Sequence, residues 1–487
     1  MNLAALLLPF VVALPPGASA PPPGALPAGA QVSSLDRELG LALVRLPKRG
    51  AAPALRRLRA APGVRSVERD APVGLASEGC GAVGPDEVKA FPGWRSAIHL
   101  SQRSAAGMLI GIADSGIDDD RLAPRQPPHL TLSAGGTSQP FQDPLGHGTA
   151  VASLLVANRP DVSTVGLVPD ATLLSARVVR SATACEGPVL EHGLINALGW
   201  LRRNGAQVVN VSATSRKSNA LVESLRALEL SGALVVASVG NGDNKTYPAA
   251  LPGVLGVGAL APGSGKKVWS SSSRGPPVDL VAPAEGIKVV ASGFVTPSAE
   301  TATTPIGTSF SAPLVTAAAA MVWATHRDWN AAEVANALVR SANAKPLGKA
   351  AVPNTDWGYG ILDVRAALHE EKLPDPHEPN DWVAAARSQR PLHPGAVVIA
   401  SLGYAGDHID AYTVDVPAGR HARAVLRGAG RGVTLKVLSI HASDADLNAV
   451  ARARSGAARA SLPGGRSLVV VARREGAGAY TLALSGS

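Results

Sequence analysis

Between Met108 and about Leu368, short and mostly apolar runs alternate with stretches of helical spacing. The runs are MLIGIA (108–113), TLLSARVV (172–179), QVVNVS (207–212), LVVASV (234–239) and VLGVGAL (254–260). Helical stretches stand between them, at 191–204 (EHGLINALGWLRRN) and 219–230. Near-continuous apolar strands separated by helices predict an α/β unit, a mostly parallel sheet with helices on both faces. At 313–324 the segment PLVTAAAAMVWA is apolar throughout, a helix too short to span a bilayer and therefore expected in the core.

The period changes towards both ends. After a polar, Pro-rich linker at 371–381 (EKLPDPHEPND), Tyr412, Val414 and Val416 alternate with Thr413 and Asp415. Tyr480, Leu482 and Leu484 repeat the pattern. Runs at 395–402, 411–416, 433–440, 467–472 and 479–485, spaced by Gly/Pro turns without a convincing helix, predict an all-β sandwich over 382–487. Residues 40–75 read as strand, helix, strand: LGLALVRL is apolar, Leu55, Leu58 and Ala61 have helical spacing, and GVRSVERD alternates. About fifty residues is marginal for a free-standing domain and suits a segment that folds against something else.

Composition narrows the classes. A chain of 487 residues is long enough for about three domains, and 46% hydrophobic with 17% charged residues describes a folded protein. Beyond the N-terminus no apolar run reaches the 18 residues or more that a membrane helix needs. Two cysteines exclude a disulfide-dense scaffold and a four-cysteine zinc site. The net charge of +9 invites a nucleic-acid reading, but its location argues against one. Residues 30–75 hold nine Lys/Arg against four Asp/Glu, residues 375–487 thirteen against nine, and the long middle is neutral. With aromatics at 3% there is no basic, aromatic-interleaved surface for nucleic acid.

The N-terminal stretch LAALLLPFVVAL (3–14), followed by PPGASA, ends in a small-x-small pattern at Ala18-Ser19-Ala20. This reads as a secretory signal over 1–20, although no Lys or Arg precedes the apolar run and Pro21 would follow the cut. The alternative is a buried N-terminal strand or helix. Export would put Cys80 and Cys185 in an oxidising compartment, where they could pair or remain two buried thiols.

Three motifs carry chemistry. GIADSGID (111–118) ends an apolar strand in Asp114, at the sheet edge where open α/β folds collect ligands. GHGTAVAS (146–153) sets His147 between two glycines at the start of an apolar helix. GTSFSAP (307–313) places Ser309 where a buried helix begins, and its free N–H groups favour developing negative charge. Each alone has a plain reading: an Asp-x-Gly turn, a structural His, a helix-capping Ser. Together they supply a nucleophile, a base that removes its proton and a carboxylate that orients the base. The chain order Asp114, His147, Ser309 is the subtilisin order, one of three unrelated orders for the same constellation.

On these motifs the sequence resembles the subtilase family of serine proteases over about residues 85–369. The resemblance implies a subtilisin-like catalytic domain at 80–370, a small α+β inhibitory propeptide at 21–79 and, across the linker 371–381, a pre-peptidase C-terminal-like sandwich. That last match rests on EPND (378–381), GDHIDAYTVDVPAG (406–419) and AYTLALSG (479–486). ASVGNGD (237–243) implies Asn241 as the side-chain oxyanion donor beside the Ser309 N–H. VVNVSAT (208–214) implies that Ser212, Ala213 and Thr214 line the substrate strand, with Tyr247 and Pro248 of YPA as the pocket's far wall.

Departures from the family pattern qualify this. Ala150 stands where many members have a second His. The loop usually associated with calcium reads Asn158-Arg159-Pro160-Asp161, poor company for a cation wanting six or more oxygens, so no metal is expected there. Thr214 and Thr246 would narrow the pocket and select small or modest residues before the cut bond. Gly79-x-Gly81-x-x-Gly84 has dinucleotide spacing without the strand that motif requires, and reads as the flexible stretch where the propeptide is cut. The cut is expected between about Asp70 and Gly79, so that a Cys80–Cys185 bridge would hold the new N-terminus to the catalytic domain. The expectation is a secreted, self-processing, monomeric serine endopeptidase without an organic cofactor, acting on proteins or peptides, inhibited by its own propeptide and binding neither nucleic acid nor membrane. The alternatives are a silent binding protein on the same fold and a peptide-ligating member.

Overall fold

The computed structural model describes residues 7–75, 94–100, 104–122, 129–131, 143–159, 164–178, 189–242, 247–251, 253–261, 267–275, 278–284, 287–290, 302–303, 307–347, 353–372, 383–402, 409–427, 433–442, 459–473 and 478–486. Cys80, Cys185, Thr246, the Gly79–Gly84 stretch and EPND lie outside the described residues.

The N-terminal module is a four-stranded antiparallel sheet with one helix. Its elements are β1 (Leu7–Ala13), β2 (Gln31–Asp36), β3 (Leu41–Pro47), α1 (Ala51–Ala60) and β4 (Ser66–Arg69), in the sheet order β2-β3-β1-β4. A short tail strand, β5 (Pro72–Leu75), leaves the module. Strand β1 falls within the stretch 1–20 that reads as a secretory signal, and in the structure it takes the form given as the alternative, a buried strand. Strand β1 pairs with β3 along its whole length and with β4 over Phe10–Ala13, so a cut after residue 20 would separate β4 from the rest of the sheet. The stretch reads as uninterrupted hydrophobe because both faces are covered. Phe10, Val12 and Leu14 pack with Leu58 of α1, while Val11 and Ala13 face Ile195 and Ala220 of the next domain. Each large side chain so buried is worth about 1.5–3 kcal/mol, which makes β1 a structural member of the module.

The central domain is built on β6 (Leu109–Asp114), β7 (His129–Thr131), α2 (His147–Val156), β8 (Thr172–Arg177), β9 (Val189–Leu190), α3 (Glu191–Arg203), β10 (Val208–Val211), β11 (Ala213–Thr214), α4 (Asn219–Leu230), β12 (Leu234–Ser238), β13 (Leu255–Leu260), β14 (Leu280–Pro283) and α5 (Ala312–Thr325). Seven strands form the main sheet in the order β14-β13-β12-β10-β6-β8-β7, every neighbouring pair parallel. Helices α2 and α5 pack on one face and α3 and α4 on the other. Helix α5 is buried from Ala312 to Trp323, and its run Ala317–Ala320 presents small side chains that let it pack closely beneath the sheet. Strand order turns at β6: β8 lies on one side and β10 on the other. A crevice opens at such a turn, outside the carboxyl ends of the strands.

The C-terminal domain is a sandwich of two antiparallel sheets. One holds Val397–Leu402, Gly478–Gly486, Ala422–Arg427 and Arg459–Leu462; the other holds Ile409–Val416, Gly465–Arg473 and Val433–Ser439. Tyr412, Val414 and Val416 face Tyr480, Leu482 and Leu484 in its core. Two of these strands, Ala422–Arg427 and Arg459–Leu462, and the short helix Val383–Ser388 were not legible in the sequence pattern.

Candidate active site

The three motif residues come from different elements and meet at the crevice. Asp114 is the last residue of β6 and His147 the first of α2. Both are buried, and the imidazole Nδ1–H donates to Asp114 Oδ1 at 2.7 Å. The Ser115 N–H donates to the same oxygen at 2.6 Å. Burial opposes the imidazolium, but the charge and hydrogen bond of Asp114 outweigh it and hold His147 above the ordinary histidine value, with Asp143 adding to the effect. His147 Nε2 is buried without a hydrogen-bond partner among the described residues.

Ser309 sits in a 3-10 turn, Thr308–Phe310, that leads into α5. The next ring, Phe310, lies 5.8 Å from the imidazole, centroid to centroid. Ser309 Oγ donates to the Ser212 carbonyl at 3.3 Å and not to His147. Catalytic hydrogen bonds are often unformed before substrate binds. The serine backbone is fixed from below: Asn210 Nδ2 donates to Ser212 Oγ at 2.9 Å, and Ser212 Oγ donates to the Ser309 carbonyl at 2.9 Å. Thr316 of α5 donates to Asn210 Oδ1 at 3.1 Å. Asn241 follows β12; its Oδ1 accepts from the Thr308 N–H at 3.0 Å and from Thr308 Oγ1 at 2.9 Å.

Ala213 and Thr214 pair with the chain's own tail as an extended strand would, and Ser212 just before them contacts Asn210 and Ser309 instead. Strand β5 lies antiparallel between β9 and β11, Val73 opposite Val189, Gly74 opposite Thr214 and Leu75 opposite Ala213. Thr214 Oγ1 donates to the Gly74 carbonyl at 3.3 Å. Tyr247 exchanges backbone hydrogen bonds with Ser215, 2.7 and 3.1 Å long, which sets Tyr247-Pro248 beside the same strand.

Carboxylates of the N-terminal module cap the helices that bear this cleft. Asp70 accepts from the His192 N–H at 3.0 Å and pairs with His192 Nδ1 at 2.6 Å, at the start of α3. Glu68 accepts from the Asn219 N–H at 2.9 Å, at the start of α4. Buried Glu191 lies between them and accepts from Ser215 and Ser218; burial pushes its carboxyl up to about 7. None of these groups stood out in the sequence: Asp70 and Glu68 join segments more than a hundred residues apart, and Glu191 meets Ser215 and Ser218 only through the fold. Asp143, in QDPLGHGT, was also missed; the signal available was an acid four residues before the motif histidine.

No group of three or more His, Cys, Asp or Glu among the described residues is placed to hold a metal ion. Asn158–Arg159 forms a two-residue strand paired with Thr164–Val165, and an Arg side chain supplies no oxygen ligand there; Pro160 and Asp161 lie outside the described residues.

Comparison with known proteins bears on the family and the fold. A model of the subtilase family matches residues 105–360. Subtilisin E of Bacillus subtilis is 29% identical over 328 residues, 64% of this chain and 78% of its own length. Subtilisin Savinase of Lederbergia lenta is 27% identical over 278 residues, 56% of this chain and 94% of its own. Among solved structures, fervidolysin from Fervidobacterium pennivorans, described as a keratinolytic enzyme related to subtilisin, superposes with a TM-score of 0.64 at 19% identity. The match covers 87% of this chain and 66% of that one, and at this identity it speaks for the fold.

Proposed function

The chain belongs to the subtilase family and is a serine-type endopeptidase, and from that premise we propose that Ser309, His147 and Asp114 cleave the peptide bond through an acyl-enzyme. Ser309 Oγ attacks the carbonyl carbon while His147 Nε2 takes its proton; the same proton then goes to the leaving amine. Water, deprotonated by His147, releases the acyl group and restores the serine. Asp114 keeps the Nδ1–H tautomer and stabilises the imidazolium. The Asn241 amide and the Ser309 N–H receive the oxyanion, each such donor being worth roughly 3–4 kcal/mol. The carrying observation is the buried 2.7 Å Asp114–His147 pair beside the serine turn. No organic cofactor enters this chemistry, and the substrates are proteins or peptides bound as extended strands. The test is hydrolysis of a casein or peptide substrate by wild type and its loss in Ser309→Ala.

The proposal includes a zymogen. The module of residues 7–75 caps both cleft helices and lays β5 where a substrate strand would pair, which supports its reading as an inhibitory propeptide. The cut then falls just beyond Leu75, within the Asp70–Gly79 stretch expected from the sequence. A protease that carries its own inhibitor is suited to synthesis inside a cell and use outside it, which favours a secreted site of action.

A further inference from the structure

Asp143 is a fully buried carboxylate outside the triad, and the reading above gives it no part. We propose that Asp143 is the positioning residue of the catalytic pair: one carboxylate that fastens the strand end bearing Asp114 to the helix bearing His147 and sets a second negative charge near the imidazole. The inference rests on the proposed triad and extends it.

Its two oxygens divide the work. Oδ1 accepts Ser115 Oγ–H at 2.7 Å, the Gly146 N–H at 2.9 Å and the Leu145 N–H at 3.2 Å. Oδ2 accepts the Thr149 N–H and the Thr149 hydroxyl, both at 2.7 Å. Ser115 is the residue after Asp114 and donates its own N–H to that carboxylate, while its hydroxyl oxygen accepts the Gly148 N–H at 2.8 Å. The backbone donors on both sides of His147 therefore end on Asp143 directly or through Ser115. Helix α2 has no side-chain cap from its own N-cap residue, Gly146. Asp143 does that work from three residues upstream, where a negative charge also suits the helix dipole.

Among the described residues, five donors converge on this one group. A carboxylate accepts all five, whereas a neutral acid or an amide would turn a donor towards another donor. That argues for the ionised form despite burial, which by itself raises the Asp143 value, and the hydrogen bonds of Ser115 and Thr149 oppose that rise. Among the described residues, the charged and titratable groups facing Asp143 are Asp114 on β6, His147 on α2 and Arg177 on β8. Asp114 repels the charge and buried Arg177 attracts it. Towards His147 the charge acts in the same sense as Asp114, favouring the imidazolium formed in the transition state.

The test is Asp143→Asn, which keeps shape and removes charge. Peptide hydrolysis is read as kcat and KM across pH, and His147 is titrated by NMR in full-length Ser309→Ala with and without Asp143→Asn. The expected result is a kcat lower by roughly ten- to a hundredfold at unchanged KM. With it, the acidic limb of kcat/KM and the imidazole titration both move to lower pH by roughly half a unit or more. A limb and titration that stay in place overturn the proposal, whatever happens to kcat. If the Asn variant does not fold, Ser115→Ala and Thr149→Val each remove one arm and keep the charge. Each is then expected to lower kcat several-fold with the limb unmoved, and wild-type kcat in both overturns the proposal. Absence of hydrolysis in wild type would instead contradict the triad reading, and the NMR titration would still decide the role of Asp143.

Discussion

A β-carbon on Gly148 would lie 2.1 Å from the carbonyl oxygen of Gly116. The second glycine of the histidine motif thus faces the second glycine of the aspartate motif, with no room for a side chain between them. This contact lets α2 come close enough for His147 to reach Asp114. Gly148→Ala is expected to force the two apart and to abolish activity, with a lowered melting temperature. Wild-type kcat in a folded Gly148→Ala protein would contradict this reading.

That contact also shows what sequence could and could not disclose. The apolar runs located five of the seven parallel strands, because strands covered on both faces have no polar side to interrupt them; the short edge strands His129–Thr131 and Leu280–Pro283 lay outside those runs. The same property holds at the N-terminus, where β1 is equally apolar because both its faces are covered, so one run fits a buried strand and the pattern of a secretory signal alike. The motif residues were legible because Asp114, His147 and Ser309 each sit in a short, unusual local pattern. Asp143, Asp70 and Glu191 were not legible: their roles come from partners brought up by the fold, and a single acid in a loop has no periodicity to mark it.

Removing the side-chain oxyanion donor gives a direct energetic test. Asn241→Ala is expected to lower kcat about 10²- to 10³-fold with little change in KM, because the amide acts on charge that develops only in the transition state. Steady-state kinetics on one peptide substrate suffice. A loss confined to KM would place Asn241 in substrate binding instead.

Thr214 faces position 74 of the bound strand. A β-carbon on Gly74 would come 3.2 Å from Thr214 Oγ1, which is tighter than ordinary contact. Peptides spanning the Ala71–Gly79 sequence, with Gly74 replaced by Val, are expected to lose roughly tenfold in kcat/KM, about 1.4 kcal/mol. Thr214→Gly should restore most of it, and the double-mutant comparison isolates this pair. An equal loss in both enzymes would rule the contact out.

Glu191 makes release of the N-terminal module depend on pH. Its carboxyl stands at about 7 while the module covers it, chiefly through burial, with Asp70 and Glu68 nearby adding to the rise. Exposure on release returns it towards an ordinary value near about 4.3. The docked state therefore favours the protonated acid. Its hold is strongest below the ordinary carboxylate value, weakens as pH rises through about 7, and then levels off. After processing, the lag before full activity should shorten from pH 5 to pH 8 in wild type and change much less in Glu191→Gln. Equal pH dependence in the two proteins would contradict the linkage.

The most direct measurement is the intact mass of wild-type protein beside Ser309→Ala, expressed as the full chain. Wild type is expected to lose the N-terminal module through a cut just beyond Leu75, while Ser309→Ala retains it. Retention of the full mass by both proteins, or the same cut in both, would contradict a self-processing Ser309 protease.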